Sequence, residues 1–260
     1  MPKLFNLATN KQGLFVYGGV ASSDYGIVVS EAPTFEKPTR KQSVFSVPGR
    51  NGSVIFPQYA WNDVTRKYKV FLTKDANQHL VQNVDALTAW LNTQNDDTYA
   101  ALYRFGGYCR LEDSFEPEVF RLAYYSGGDD VTNEMTQYGE AVLKFTCRPE
   151  RFFKEGETAH TLTISGQSVG NPTRFISKPL IHVEASNATV SLTIGGKTCT
   201  LGVTDSIDVD CDLMQCYKNL PTVNMNQYFS GEFPQLLPGN NIVTFTNATK
   251  VVIIPRYYTI

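Results

Sequence analysis

Val44-Phe45-Ser46-Val47-Pro48-Gly49-Arg50-Asn51-Gly52-Ser53-Val54-Ile55-Phe56 sets two short runs of strand-forming residues on either side of a turn. Asn and Gly accept the positive φ angles that a tight hairpin requires, so Gly49, Arg50, Asn51 and Gly52 read as a structural turn between two antiparallel strands. Outward from this hairpin the same texture continues. Leu14, Val16 and Gly18, and then Lys69, Phe71 and Thr73, sit at the period of two that a strand imposes, among short runs rich in Val, Ile, Phe, Tyr and Thr. The chain reads as mostly β.

One segment breaks that period. Leu80, Val84, Leu87 and Leu91 recur at helical spacing, widened by Val81 and Trp90, and predict a helix from Asn77 to Leu91. Asp75 or Asn77 is placed to cap its first amides, and the polar run 92–97 to end it. A helix with one apolar stripe must bury it, most simply against an antiparallel sheet. Strand patterns resume over Tyr99–Arg110, Val119–Tyr125 and Gly139–Cys147, separated by a polar stretch from Ser126 to Gln137. A connection of that length inside a compact domain is more often an interaction element than a bare linker. Ser126, Asp129, Asp130, Asn133, Met135 and Gln137 are therefore candidate residues of an intersubunit arm.

After Cys147-Arg148-Pro149 the charged run Glu150–Glu157 interrupts the pattern, and a second set of short strands starts near Thr161. We expect two domains, 1–155 and 156–260. The second, with strands at Pro179–Glu184, Val190–Ile194, Ser206–Leu213, Ile242–Phe245 and Val251–Ile254 and no convincing helix, reads as a small antiparallel sandwich.

Composition narrows the function classes. The 260 residues carry a formal net charge of −2, which removes the broad positive field that sequence-nonspecific nucleic-acid binders use. A chain of this size needs neither a metal nor a disulfide to hold a core. The five cysteines are dispersed and odd in number, as expected of structural thiols in a reducing compartment. No run approaches the roughly 20 apolar residues that span a bilayer, so membrane insertion is not expected.

Apparent chemical motifs fail in context. Gly166-Gln167-Ser168-Val169-Gly170 matches a nucleophile elbow, but Asn171-Pro172-Thr173 follows it with a turn where a helix should begin. Gly196-Lys197-Thr198 lacks the leading glycine of a phosphate loop, because Ser191 holds that place. Asp208, Asp210 and Asp212 have calcium-loop spacing, yet Leu213 and Asn219 stand where glycine and glutamate belong. Alternation with Ile207, Val209 and Cys211 makes them the acidic face of a strand instead. His79, His160 and His182 stand apart in sequence, and no catalytic constellation, cofactor or metal site emerges.

Taken in order, Pro48-Gly49-Arg50-Asn51-Gly52, the single helix and Phe145-Thr146-Cys147-Arg148-Pro149 resemble the first half of siphophage distal tail proteins. Lys178-Pro179-Leu180-Ile181, Ser206-Ile207-Asp208-Val209-Asp210 and Phe233-Pro234-Gln235-Leu236-Leu237-Pro238-Gly239-Asn240-Asn241, with Ile253-Ile254-Pro255-Arg256, extend the resemblance over nearly the whole chain. The resemblance implies a non-enzymatic structural protein of the virion at the distal end of the tail, assembled in the host cytoplasm. Its N-terminal β-sandwich, with one helix and an extended arm, would form a homo-hexameric ring, and its C-terminal domain would be a galectin-like β-sandwich. The implied partners are the tail tube protein, a hub, lysin or fibre protein and a receptor-binding protein, with DNA passing the channel unbound. An alternative expectation is a carbohydrate-binding adhesin acting through residues 160–260, although both tryptophans, Trp61 and Trp90, lie in the first half.

Overall fold

The computed structural model describes residues 13–34, 36–73, 80–93, 107–128, 132–134, 138–218 and 223–260. The chain divides into two compact units, Met1–Arg151 with Ile260, and Phe152–Thr259.

The strands of the first unit are β1 (Phe15–Tyr17), β2 (Val20–Ala21), β3 (Ile27–Val29), β4 (Arg40–Ser46), β5 (Ser53–Trp61), β6 (Val64–Thr73), β7 (Cys109–Asp113), β8 (Val119–Gly128), β9 (Thr132–Glu134) and β10 (Tyr138–Phe153), with helix α1 at Leu80–Thr93. Its main sheet runs β2-β1-β7-β8-β10-β6-β3, with β9 also on β10. Alternation decides which face is dry. Tyr68, Val70 and Leu72 of β6 and Ala141, Leu143, Phe145 and Cys147 of β10 are buried, while Lys67, Lys69 and Glu140 between them are exposed. Leu87, Trp90 and Leu91 of α1 join that same core, with Val84 packed against it. Trp90 stacks on Tyr25 at 4.7 Å between ring centroids and on Phe15 at 5.9 Å. The helical stripe thus finds the sheet face that its periodicity demands. Asp75, Asn77 and His79 lie outside the described residues.

The expectations for β10 and for the stretch before it differ from the structure. β10 does not stop at Cys147 but continues through buried Pro149 to Phe153, and only then does a 3-10 turn at Lys154–Glu157 follow. Proline usually marks a strand end because it lacks an N–H, yet its fixed φ is compatible with extended backbone. The stretch read as a loop from Ser126 to Gln137 is in part regular strand. β8 runs to Gly128, and β9 pairs with β10 through Asn133↔Gly139.

The second unit holds β11 (His160–Leu162), β12 (Ser168–Asn171), β13 (Leu180–Glu184), β14 (Ala188–Ile194), β15 (Lys197–Val203), β16 (Ser206–Asp210), β17 (Gln215–Lys218), β18 (Val223–Asn224), β19 (Phe229–Gly231), β20 (Gly239–Ile242), β21 (Thr244–Thr246), β22 (Lys250–Ile254) and β23 (Tyr258–Thr259). A six-stranded sheet, β11-β22-β13-β16-β17-β18, and a four-stranded sheet, β19-β15-β14-β21, supply one continuous apolar core. Ile181, Val183, Ile207, Val209, Val251 and Ile253 come from the first, and Val190, Leu192, Ile194 and Leu201 from the second, which makes the unit a β-sandwich. Gly195 and Gly196, at φ of 58° and 76°, close the two-residue turn between Ile194 and its partner Lys197.

Candidate functional site

The hairpin β4–β5 stands apart from the other sheets. Its strands pair only with each other among the described residues, through Ser46↔Ser53, Phe45↔Val54, Val44↔Ile55, Ser43↔Phe56 and Gln42↔Pro57. The sharp bend lies three residues earlier than Asn51-Gly52. Pro48 and Gly49 form the corners of a turn in which the Arg50 N–H donates to the Val47 carbonyl at 3.2 Å. Gly49 carries the positive φ of 77° that a type II turn requires at that place. Gly52, at 78°, returns the chain into β5, and Asn51 is not among the left-handed residues.

Hairpin side chains that should be core are in water. Val44, Phe45, Ile55 and Phe56 are each 54–56% exposed, and Tyr59, with φ of 53°, is 89% exposed. An isolated two-stranded hairpin is marginal in water, and exposed apolar residues on this scale mark a contact surface. Charge adds direction. Residues 40–61 contain Arg40, Lys41 and Arg50 and no carboxylate, so removing this +3 from the chain's −2 leaves −5 for the rest.

The root of the hairpin is held in place. The Asn62 N–H donates to the Thr39 carbonyl at 2.8 Å, its side-chain amide to Thr39 Oγ1 at 3.0 Å, and the Arg40 guanidinium lies 5.0 Å over the Trp61 ring. Thr65 N–H donates to Glu36 Oε2 at 2.7 Å. Beneath this root runs a buried ionic network. Arg66 donates to the Thr34 carbonyl at 3.2 Å and to Asp113 Oδ2 at 2.7 Å, and Tyr68 donates to the same oxygen at 2.8 Å. Glu116 gathers Arg121 at 2.5 Å, Arg151 at 2.7 Å and Arg66 at 3.4 Å. Burial, and after it the Asp113 charge, push the Tyr68 hydroxyl well above its ordinary range, so it stays a neutral donor. Neither Arg66 nor Asp113 announces this pairing in sequence, because 47 positions separate them.

Of the candidate arm, Ser126 lies exposed in β8 with its hydroxyl donating to the Lys144 carbonyl at 3.1 Å, and Asn133 lies in β9. Asp129, Asp130, Met135 and Gln137 lie outside the described residues.

The apparent chemical motifs are dispersed in the second unit. Ser168 sits in β12 opposite Ile242, in a strand rather than at a strand-to-helix turn. The three spaced aspartates have separate partners. Asp208 meets His182 Nδ1 at 2.7 Å, Asp210 accepts from buried Arg256 at 3.0 Å, and Asp212 pairs with Lys178 at 3.1 Å. Asp210 Oδ1 also accepts the N–H groups of Asp212 and Leu213, which ends β16 there instead of at Leu213.

No known family model matches the sequence, and no curated protein does either. Solved structures do match. The Dit protein (gp 19.1) of SPP1, described as a paradigm of the hub adsorption apparatus in phages infecting Gram-positive hosts, superposes with a TM-score of 0.66 at 16% identity, over 93% of this chain and 97% of that one. The two chains share a fold. The phage P2 baseplate in its activated conformation gives TM-scores of 0.52 with calcium and 0.50 with strontium, each at 10% identity and over 94% of this chain. These matches cover 98% and 97% of the respective baseplate chains, so the likeness extends over both units.

Proposed function

We propose that the chain is a non-enzymatic structural subunit of a phage tail tip, a distal tail protein that works as a six-membered ring between the tail tube and the baseplate or fibre hub. The exposed apolar hairpin β4–β5 is the single observation that carries this reading, since in a lone chain it has no use and a cost in solubility. In a ring each copy meets its neighbour through two different patches, so one projecting element can serve every interface. The full-length likeness to hub and baseplate proteins supports the same role. The segment from Ser126 to Gln137 is assigned to the same ring as a second contact. DNA passes through the channel unbound, and the second unit takes the tail-tip partners, a receptor-binding protein among them. Negative-stain microscopy of the purified full-length protein is the test. Closed rings with a central opening are expected, and particles that stay single at all concentrations would refute the reading.

A further inference from the structure

The outer face of the four-stranded sheet β19-β15-β14-β21 is built of hydroxyl side chains. Leu192, Ile194, Cys199 and Leu201 point into the core, so the residues that alternate with them point away from it. Strand register sets these in rows. Thr246, Ser191, Thr200 and Ser230 stand directly opposite one another across all four strands, and Thr244, Thr193 and Thr198 form the next row. Neighbouring positions are therefore about 4.8 Å apart across the strands and about 6.7 Å apart along them. Thr193 and Thr198 share a hydrogen bond of 2.8 Å between their hydroxyls, whereas those of Ser191, Thr200, Ser230, Thr244 and Thr246 make none to the described residues. At one margin an aromatic ring lies against the sheet. Gly202 stands opposite Thr189, and a Cβ on it would come within 3.2 Å of Tyr228 Cδ1, so the missing side chain is what admits the ring. Tyr228 remains 46% exposed. Beside the Thr198 row, Lys197 and Glu232 close on each other at 2.5 Å.

We propose that this face binds a neutral glycan chain, with the hydroxyl rows exchanging hydrogen bonds with sugar hydroxyls and the Tyr228 ring taking the apolar face of one sugar. Chemistry selects this occupant over others. Neither row carries a charge and the Lys197–Glu232 pair beside them is self-neutralised, so a nucleic acid or other polyanion finds nothing to hold its phosphates. A protein partner fits poorly, because Ser and Thr are under-represented among the residues that carry protein interfaces and the rows offer no large apolar anchor. A polyhydroxylated ligand uses what is present: donors and acceptors at regular spacing, threonine methyls between them, and an amphipathic ring at the edge. The inference concerns the second unit alone and is independent of the ring.

The test applies the full-length protein to immobilised neutral oligosaccharides of glucose, galactose, mannose, rhamnose and N-acetylhexosamines, with polyuronate and poly(glycerol phosphate) as anionic comparison. Wild type is expected to bind at least one neutral chain and neither polyanion. Tyr228→Ala should weaken that binding by about tenfold or more and Tyr228→Phe should retain it, since stacking needs the ring and not its hydroxyl. Thr198→Val with Thr200→Val keeps β-branched side chains of similar size, removes two hydroxyls, and should weaken binding comparably. Hydroxyl-radical footprinting of the wild-type protein gives a readout free of folding effects in the variants: Tyr228 should lose reactivity when the bound chain is added. Binding of no neutral chain, binding of the polyanions alone, or a neutral chain that leaves Tyr228 unprotected and is held equally by both weakened variants overturns the proposal.

Discussion

Asp113→Ala should destabilise the first unit by about 3 kcal/mol or more, because it strands a charge that cannot leave the interior. Arg66 is 3% exposed and Asp113 6%, and their 2.7 Å contact is reinforced by the Tyr68 hydroxyl at 2.8 Å. The same carboxylate accepts the N–H groups of Phe115 at 3.0 Å and Glu116 at 2.9 Å, so its loss also frees the turn that presents Glu116. Removing one member of a buried pair costs about 3–5 kcal/mol. Glu116, already 3.4 Å from Arg66, compensates in part and puts the effect at the lower end. For a unit of this size about 3 kcal/mol lowers the melting temperature by roughly 6–12 °C. Calorimetry of the full chain is the assay, with the transition of the second unit as internal reference. A fall of less than about 1 kcal/mol would mean that the network is not what holds the hairpin root.

Other outcomes follow from single contacts. The Asp208 hydrogen bond, against the opposing effect of burial, and the Glu184 charge hold the His182 imidazolium above its ordinary value of 6.5. The stability it adds is complete below 6.5 and lost as pH rises through the higher folded value; NMR titration should place the midpoint above 6.5, and a midpoint below it would contradict the geometry. Burial pushes the Cys147, Cys199 and Cys216 thiols up to about 12, so in native protein they should react with a disulfide reagent only at the rate of unfolding. Immediate labelling of all five cysteines would refute that burial. Asp129→Lys with Asp130→Lys should weaken ring assembly, measured by sedimentation; unchanged assembly removes the candidate arm from the interface.

Local periodicity carried the parts that local physics decides. The α1 stripe was legible because Leu87, Trp90 and Leu91 obey helical spacing whatever they pack against. The hairpin was legible as a turn between strand runs, but its two-faced exposure was not, since an apolar residue in a strand says nothing about what will cover it. Phe45 and Phe56 look like core residues and lie in water in the single chain. β10 outran its apparent end because Pro149 and the charges beside it suggest a break that the extended backbone tolerates. The Arg66–Asp113–Glu116 network depends on long-range strand pairing and left no local trace.

The mass of the purified full-length protein in solution, measured by sedimentation or native mass spectrometry, tests the central claim most directly. The account predicts six copies of the 29.0 kDa chain, about 174 kDa, in equilibrium with little else at micromolar concentration. A mass of one chain at every concentration would contradict it.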